Sequence, residues 1–130
     1  MDQQIKLHTE VVIDAAHYLR FYQGVCQRLH GHSWRVRIWI RGLSSDLDEL
    51  GILYDFTNVK RIKDMYDHLC FNDVPPFNNK VNPTAEHIAI ELHRLLKEEK
   101  PGLEFCVRVY ETSIGKETWA QTGDWDEQSG

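Results

Sequence analysis

From His30 to Arg41 the chain alternates without interruption. Trp34, Val36, Ile38 and Ile40 share the parity of His30 and His32, while Arg35, Arg37, Trp39 and Arg41 take the other. A period of two belongs to an extended strand, whose successive side chains point to opposite faces. This run therefore predicts a strand with one apolar face ending in two histidines and a second face that is half basic. A sheet containing it packs something apolar on one side and meets water or another subunit on the other. Residues 7–15 alternate as well, with Leu7, Thr9, Val11, Ile13 and Ala15 on one face and His17 just beyond them on the same parity.

The chemistry concentrates where the second strand begins, in Cys26-Gln27-Arg28-Leu29-His30-Gly31-His32. His30 and His32 point the same way on an extended chain, and imidazole is the commonest ligand for zinc and its first-row neighbours. A bare His-x-His pair is more often two polar residues at a strand end. Here, if the first two strands pair antiparallel, their histidine ends meet, and His17 supplies the third ligand. Three neutral imidazoles leave one position of a zinc tetrahedron open for substrate, although iron or nickel would satisfy the same set. Cys26 has two readings: a fourth ligand closing a structural Cys-His-His-His site, or a free thiolate acting as a base. Asp67-His68 reads either as a charge pair at a helix end or as a carboxylate that orients a proton-shuttling histidine. Glu111 is either a plain strand-end carboxylate or the acceptor of paired N–H bonds from a planar amidine-like group.

The remaining chain predicts few elements. Residues 18–29 form a loop and 42–51 an acidic surface connection, and 52–56 is a short strand end. Val59, Ile62, Met65, Tyr66 and Leu69 mark an amphipathic helix capped by Thr57 or Asn58 and ending near Asp67 and His68. Pro75-Pro76 and Asn78-Asn79 make 70–80 a loop. A second helix starts with Asn82 as cap and Pro83 at its first position, and carries an apolar stripe of Ala85, Ile88, Ala89, Leu92, Leu95 and Leu96. Phe105, Val107, Val109 and Glu111 alternate in a last strand, followed from Thr112 by a polar tail with Trp119 and Trp125 as its large apolar anchors. The order gives an α+β fold, an antiparallel sheet with two helices on one face, in a single domain over residues 1–130. Exposed sheet edges suit joining to neighbouring copies. A net charge of −5 argues against general binding to nucleic acid or anionic membranes. No run is long and apolar enough to cross a bilayer, the N-terminus has no signal-peptide core, and three irregularly spaced cysteines read as reduced thiols, which together predict a cytoplasmic protein. Cys70 and Cys106 read as buried and inert.

Taken together, Ala15-Ala16-His17, Cys26-x3-His30-Gly31-His32, Tyr54-Asp55-Phe56, Asp67-His68, Asn82-Pro83-Thr84-Ala85-Glu86 and Glu111-Thr112 resemble the 6-pyruvoyl-tetrahydropterin synthase and 6-carboxy-5,6,7,8-tetrahydropterin synthase family, over nearly the whole chain and in order. The resemblance implies the tunnelling fold, in which trimers join their sheets into a barrel and two trimers stack into a homohexamer with active sites between subunits. It implies zinc on His17, His30 and His32, a catalytic thiol at Cys26, and Asp67 and His68 as the other members of a proton-transfer triad. It also implies a pterin-anchoring carboxylate at Glu111, with Thr84 and Glu86 near the pterin pocket. The three-residue gap between Cys26 and His30 looks like the bacterial carboxytetrahydropterin branch. The implied enzyme is a carbon–carbon lyase converting 7,8-dihydroneopterin triphosphate to 6-carboxytetrahydropterin, acetaldehyde and triphosphate, on the route to queuosine. Its rivals are a pyruvoyl-tetrahydropterin synthase and a non-catalytic metal-binding module. Arg20, Arg28, Lys80 and the Arg35, Arg37 and Arg41 face are candidates for the triphosphate by charge alone.

Overall fold

The computed structural model describes residues 2–21, 24, 27–113 and 116–130. Four antiparallel strands in the order β1-β2-β3-β4 form one sheet: β1 Gln4–His17, β2 His30–Leu43, β3 Glu104–Ser113 and β4 Lys116–Gly123. Two helices, α1 Thr57–Asp64 and α2 Ala85–Glu99, complete the architecture. The predicted α+β arrangement is the observed one. The alternation in β2 does what its period dictates: Trp34, Val36, Ile38 and Ile40 are buried and meet Phe105, Val107 and Val109 of β3 in one apolar core. Over this face lie Val59 and Ile62 of α1 and Ile88, Leu92 and Leu96 of α2. Burial of such large side chains, roughly 1.5–3 kcal/mol each, drives the helices onto this side of the sheet.

Several boundaries differ from the sequence reading, each for a local reason. Residues 52–56 form no strand; Asp48 takes the Ile52 amide on its Oδ1 and gives its own amide to the Ile52 carbonyl, closing a turn, while Leu53 and Tyr54 bury as loop residues. Helix α1 begins at Thr57 because the Asp55 carboxylate accepts both the Thr57 amide (3.0 Å) and its hydroxyl (2.8 Å). It ends at Asp64, so Asp67 and His68 follow it in a turn. The cap of α2 is Thr84, whose hydroxyl oxygen accepts the His87 amide at 3.1 Å, and not Asn82.

The largest difference is β4. The stretch read as a tail pairs with β3, with Val109 opposite Ala120 and Tyr110 opposite Trp119. Its polar alternation lacks an apolar face, so its stability comes from strand pairing and from Ala120 against the core. Gly123 sits where the strands nearly touch; a Cβ there would lie 2.4 Å from the Phe105 carbonyl oxygen. Beyond it, residues 124–130 cross the second face of the sheet. That face was expected to meet water or a partner, yet Trp39, Cys106, Arg108 and Tyr110 are buried on it. The Arg108 guanidinium lies between the Trp39 and Trp119 rings, 4.8 and 4.3 Å from their centroids, and donates to the Glu127 carbonyl.

Candidate active site

The register of β1 against β2 places His17 opposite His30 and Ala15 opposite His32. Three imidazoles thus share one face at the last paired positions, and the small Ala15 side chain leaves room beside His32. Their nearest ring nitrogens lie within 4.8 Å of one another. Trp34 forms the floor, its ring edge-on to both His17 (4.8 Å) and His32 (5.1 Å), and its indole N–H donates to the Ala15 carbonyl.

Hydrogen bonding fixes which nitrogens face inward. His17 Nδ1 lies 2.8 Å from the Pro83 carbonyl, and His30 Nδ1 lies 2.6 Å from the Arg28 carbonyl. A carbonyl only accepts, so both Nδ1 atoms carry the proton. In the neutral form of each ring Nε2 then presents a lone pair, and the two Nε2 atoms face each other across 2.9 Å. Two lone pairs at that separation repel unless a proton or a metal ion lies between them. His32 Nε2 is buried without a hydrogen bond, with Glu111 Oε1 at 3.6 Å. Burial pushes the His17 imidazole below its ordinary pKa, against the opposing pull of the Pro83 carbonyl, so it is neutral at pH 7 as a ligand must be. The donor set fits a borderline cation such as zinc, and the Nδ1–carbonyl bonds are the customary outer support of ligating histidines.

Asp67 and His68 reach the same place from the other side. The Asp14 amide donates to Asp67 Oδ1 (2.9 Å), and the Asp14 carbonyl accepts from the His68 amide (2.6 Å). The Ala16 amide donates to the Leu69 carbonyl, and Ala16 forms a single parallel bridge with Cys70. These bonds hold His68 in the left-handed region (φ 63°), which costs a residue with a Cβ roughly 1–3 kcal/mol. Its ring is 79% exposed, with Nε2 3.5 Å from Asp67 Oδ2. Though adjacent in sequence, the two side chains face each other because the helix has already ended. A cleft of about 600 Å3 is lined by Asp14, His32, Ser33, His68 and Cys70 among others. Cys70 therefore borders the site, where the sequence suggested burial; Cys106 is buried as expected.

Of the other predicted residues, Cys26 lies outside the described residues. Glu111 stands beside His32, as given above. Thr84 serves as the α2 cap and Glu86 is exposed on the first turn of that helix. The charge-based triphosphate candidates divide. Arg35, Arg37 and Arg41 project from the opposite face of β2 and bind Glu10 and Glu117, His8 and the Gly130 carbonyl, and Glu104. Arg20 spends its guanidinium on the Phe77 and Val81 carbonyls. Arg28 and Lys80 are exposed. Sequence reasoning missed Asp14, whose carboxylate accepts the Ser33 hydroxyl (2.6 Å), and Asn72 and Asn82, whose amides grip main chain. The main-chain contacts leave no residue-type signal; the positions of Asp14 and Ser33 as strand ends beside the histidines were the available clue.

A four-stranded antiparallel sheet with two helices on one face and a histidine cluster at a strand end is the tunnelling fold of pterin synthases. The solved structure of Caenorhabditis elegans 6-pyruvoyl tetrahydropterin synthase superposes with a TM-score of 0.70 at 23% identity, covering 92% of this chain and 96% of that one. The chain belongs to the 6-pyruvoyl tetrahydropterin synthase family, whose profile matches residues 6–121. It is similar to the 6-carboxy-5,6,7,8-tetrahydropterin synthase of Synechocystis sp., 35% identical over 114 residues that make up 82% of this chain and 85% of the relative. It is also similar to the enzyme of that name from Bacillus subtilis, 32% identical over 113 residues, 81% of this chain and 76% of the relative.

Proposed function

We propose that the chain is a zinc-dependent 6-carboxy-5,6,7,8-tetrahydropterin synthase, a carbon–carbon lyase that converts 7,8-dihydroneopterin triphosphate and water to 6-carboxytetrahydropterin, acetaldehyde and triphosphate in the cytoplasm, for queuosine biosynthesis. The observation that carries the reading is the pair of Nε2 lone pairs of His17 and His30, 2.9 Å apart, with His32 Nε2 beside them. The names of the bacterial relatives and the three-residue gap between Cys26 and His30 favour the carboxy product over the pyruvoyl one. In this reading residues 1–130 form one domain, and the edges of β1 and β4 join those of neighbouring copies in a trimer, two trimers making a hexamer.

His17, His30 and His32 would hold the ion, and the chemistry it would supply is Lewis-acid polarisation of a substrate oxygen. Cys26 removes a side-chain proton as the thiolate. His68, oriented by Asp67, returns a proton on the other side of the cleft; its exposed ring and its bonds to Asp14 suit a group that must meet both substrate and solvent. Glu111 accepts the paired N–H groups of the pterin ring. Thr84 and Glu86 lie at the helix start whose Pro83 carbonyl touches His17, and their role in this reading is to border the pterin. One water supplies an oxygen of the carboxylate and the redox change is internal to the substrate, so no redox cofactor takes part.

The test is incubation of purified protein with 7,8-dihydroneopterin triphosphate, with elemental analysis of the same sample. Acetaldehyde and triphosphate in equal amounts, with about one zinc per chain, are expected on the three-imidazole site. Triphosphate without acetaldehyde assigns the pyruvoyl reaction instead, and zinc without turnover assigns a metal-binding module.

A further inference from the structure

The chain leaving β1 is held by two asparagine side chains that imitate strand neighbours. Asn72 accepts the Tyr18 amide on Oδ1 and donates Nδ2 to the Tyr18 carbonyl, both at 3.0 Å. Asn82 does the same to Arg20, accepting its amide at 2.9 Å and donating to its carbonyl at 3.0 Å. The grip at Arg20 is reciprocal, because the Arg20 guanidinium donates to Phe77 O (2.7 Å) and Val81 O (3.2 Å). The main chain of Asn82 is equally committed: its carbonyl accepts from the Thr84 amide (2.9 Å) and from His87 Nδ1 (2.7 Å). Residues 81–84 are thus fastened to residues 18–20 by side chains on both segments. The next carbonyl, that of Pro83, is the one that receives His17 Nδ1–H.

We propose that Asn82 is a positioning residue for the metal centre, acting through the Pro83 carbonyl to hold His17 in the tautomer that turns Nε2 toward His30 and His32. The inference rests on the reading of His17 as a metal ligand, but its first consequence needs no metal. Were Asn82 only a helix cap, as its place in Asn-Pro-Thr suggests, its side chain would bond within its own helix. Thr84 does that work, and Asn82 points across to Arg20. An outer-shell contact of this kind fixes ring orientation and ligand basicity, and its loss typically weakens metal binding roughly ten- to hundredfold.

The test compares Asn82→Ala, Asn82→Asp and Asn72→Ala with the unaltered chain. Histidine nitrogen NMR of the metal-free proteins reads the His17 tautomer, and competition with a chromophoric chelator reads zinc affinity. Asn82→Asp keeps the shape and the acceptor but sets an oxygen against the Arg20 carbonyl, so it carries the test should Asn82→Ala fail to fold. The expected result is a protonated Nδ1 on His17 in the unaltered chain, mixed tautomers in the Asn82 variants, and zinc binding weakened roughly tenfold or more. Asn72→Ala, which frees Tyr18 but leaves the Pro83 carbonyl in place, lowers the melting temperature while keeping tautomer and affinity. Folded Asn82 variants with the original tautomer and affinity overturn the proposal, as does an Asn72→Ala variant that shifts both equally. An unaltered chain that binds no zinc overturns the metal reading instead, and the tautomer measurement still decides the role of Asn82.

Discussion

Strand β2 carries polar side chains on both faces, three arginines on one and the histidine end of the apolar face on the other, and the two sets are satisfied differently. On the second face the arginines pair with groups of the chain itself: Arg35 with Glu10 and Glu117, Arg41 with Glu104 although its Nε is buried without a hydrogen bond, Arg37 with His8 and the Gly130 carbonyl, and Arg108 of β3 between two indoles with Gln121 on its Nε. On the first face His17 and His30 turn Nε2 toward each other across 2.9 Å, and His32 Nε2 beside them is buried without a hydrogen bond. The arginine face is a network in which each guanidinium reaches an acid, a carbonyl or a ring of the chain itself. The histidine face is complete only with something the chain does not encode. Density of charge therefore says little about where a ligand binds; what tells is a set of convergent groups that cannot satisfy each other.

The sharpest way to break this contrast is at the histidines. His32→Ala is expected to abolish zinc retention and turnover while raising or leaving unchanged the thermal stability of the metal-free protein, because the repelling cluster has lost a member; elemental analysis and melting curves check both halves. Next comes the dyad. His68→Ala or Asp67→Asn should keep full zinc content but lower kcat by roughly 10^2–10^4, the range for removal of a general acid or base; metal loss in either variant would place the dyad in structure instead of chemistry. On the arginine face the effect moves from rate to stability. Arg108→Ala strands the Gln121 Oε1 acceptor, leaves the Glu127 carbonyl with Gln121 Nε2 alone and opens a gap between Trp39 and Trp119, at a cost of about 2–4 kcal/mol in denaturant unfolding, with turnover per folded molecule unchanged.

The smallest expected effect is a pH dependence at the junction of α2 with β3 and β4. Burial raises the pKa of Asp124, but the Phe105 amide, His93 and Lys97 outweigh it and hold the carboxyl below its ordinary value. A carboxyl whose folded pKa is depressed stabilises the fold above its unfolded pKa and loses that contribution as the pH falls through the folded value. The melting-temperature gap between the native chain and Asp124→Asn should therefore be constant at neutral pH and close in the acid range below about pH 4. A gap that widens on acidification would reverse the sign of the interaction.

The sequence was most legible where the side chain itself carries the signal. The alternation of residues 34–41 specified β2 and its buried face, and the parity of His17, His30 and His32 anticipated their meeting, because register in a half-buried sheet admits no one-residue slip. It was least legible where main chain or tertiary context decides. Strand β4 has no apolar face of its own, so only its pairing with β3 declares it. Asp67 and His68 face each other because α1 stops at Asp64 and the Asp14 amide and carbonyl capture the following turn, and those two groups of Asp14 are common to all residues with a backbone N–H. The cap of α2 fell to Thr84 because Asn82 was engaged elsewhere. Arginine charge pointed to phosphate, whereas the folded chain consumes most of that charge internally.

The antiparallel ladder from Gln4 opposite Leu43 to His17 opposite His30 has one further consequence. It sets the distance between the imidazoles without reference to the connection that joins the two strands. Changes of length between Arg20, held by Asn82, and Arg28, whose carbonyl receives His30 Nδ1–H, should therefore alter what approaches the three imidazoles while leaving their spacing where the ladder puts it.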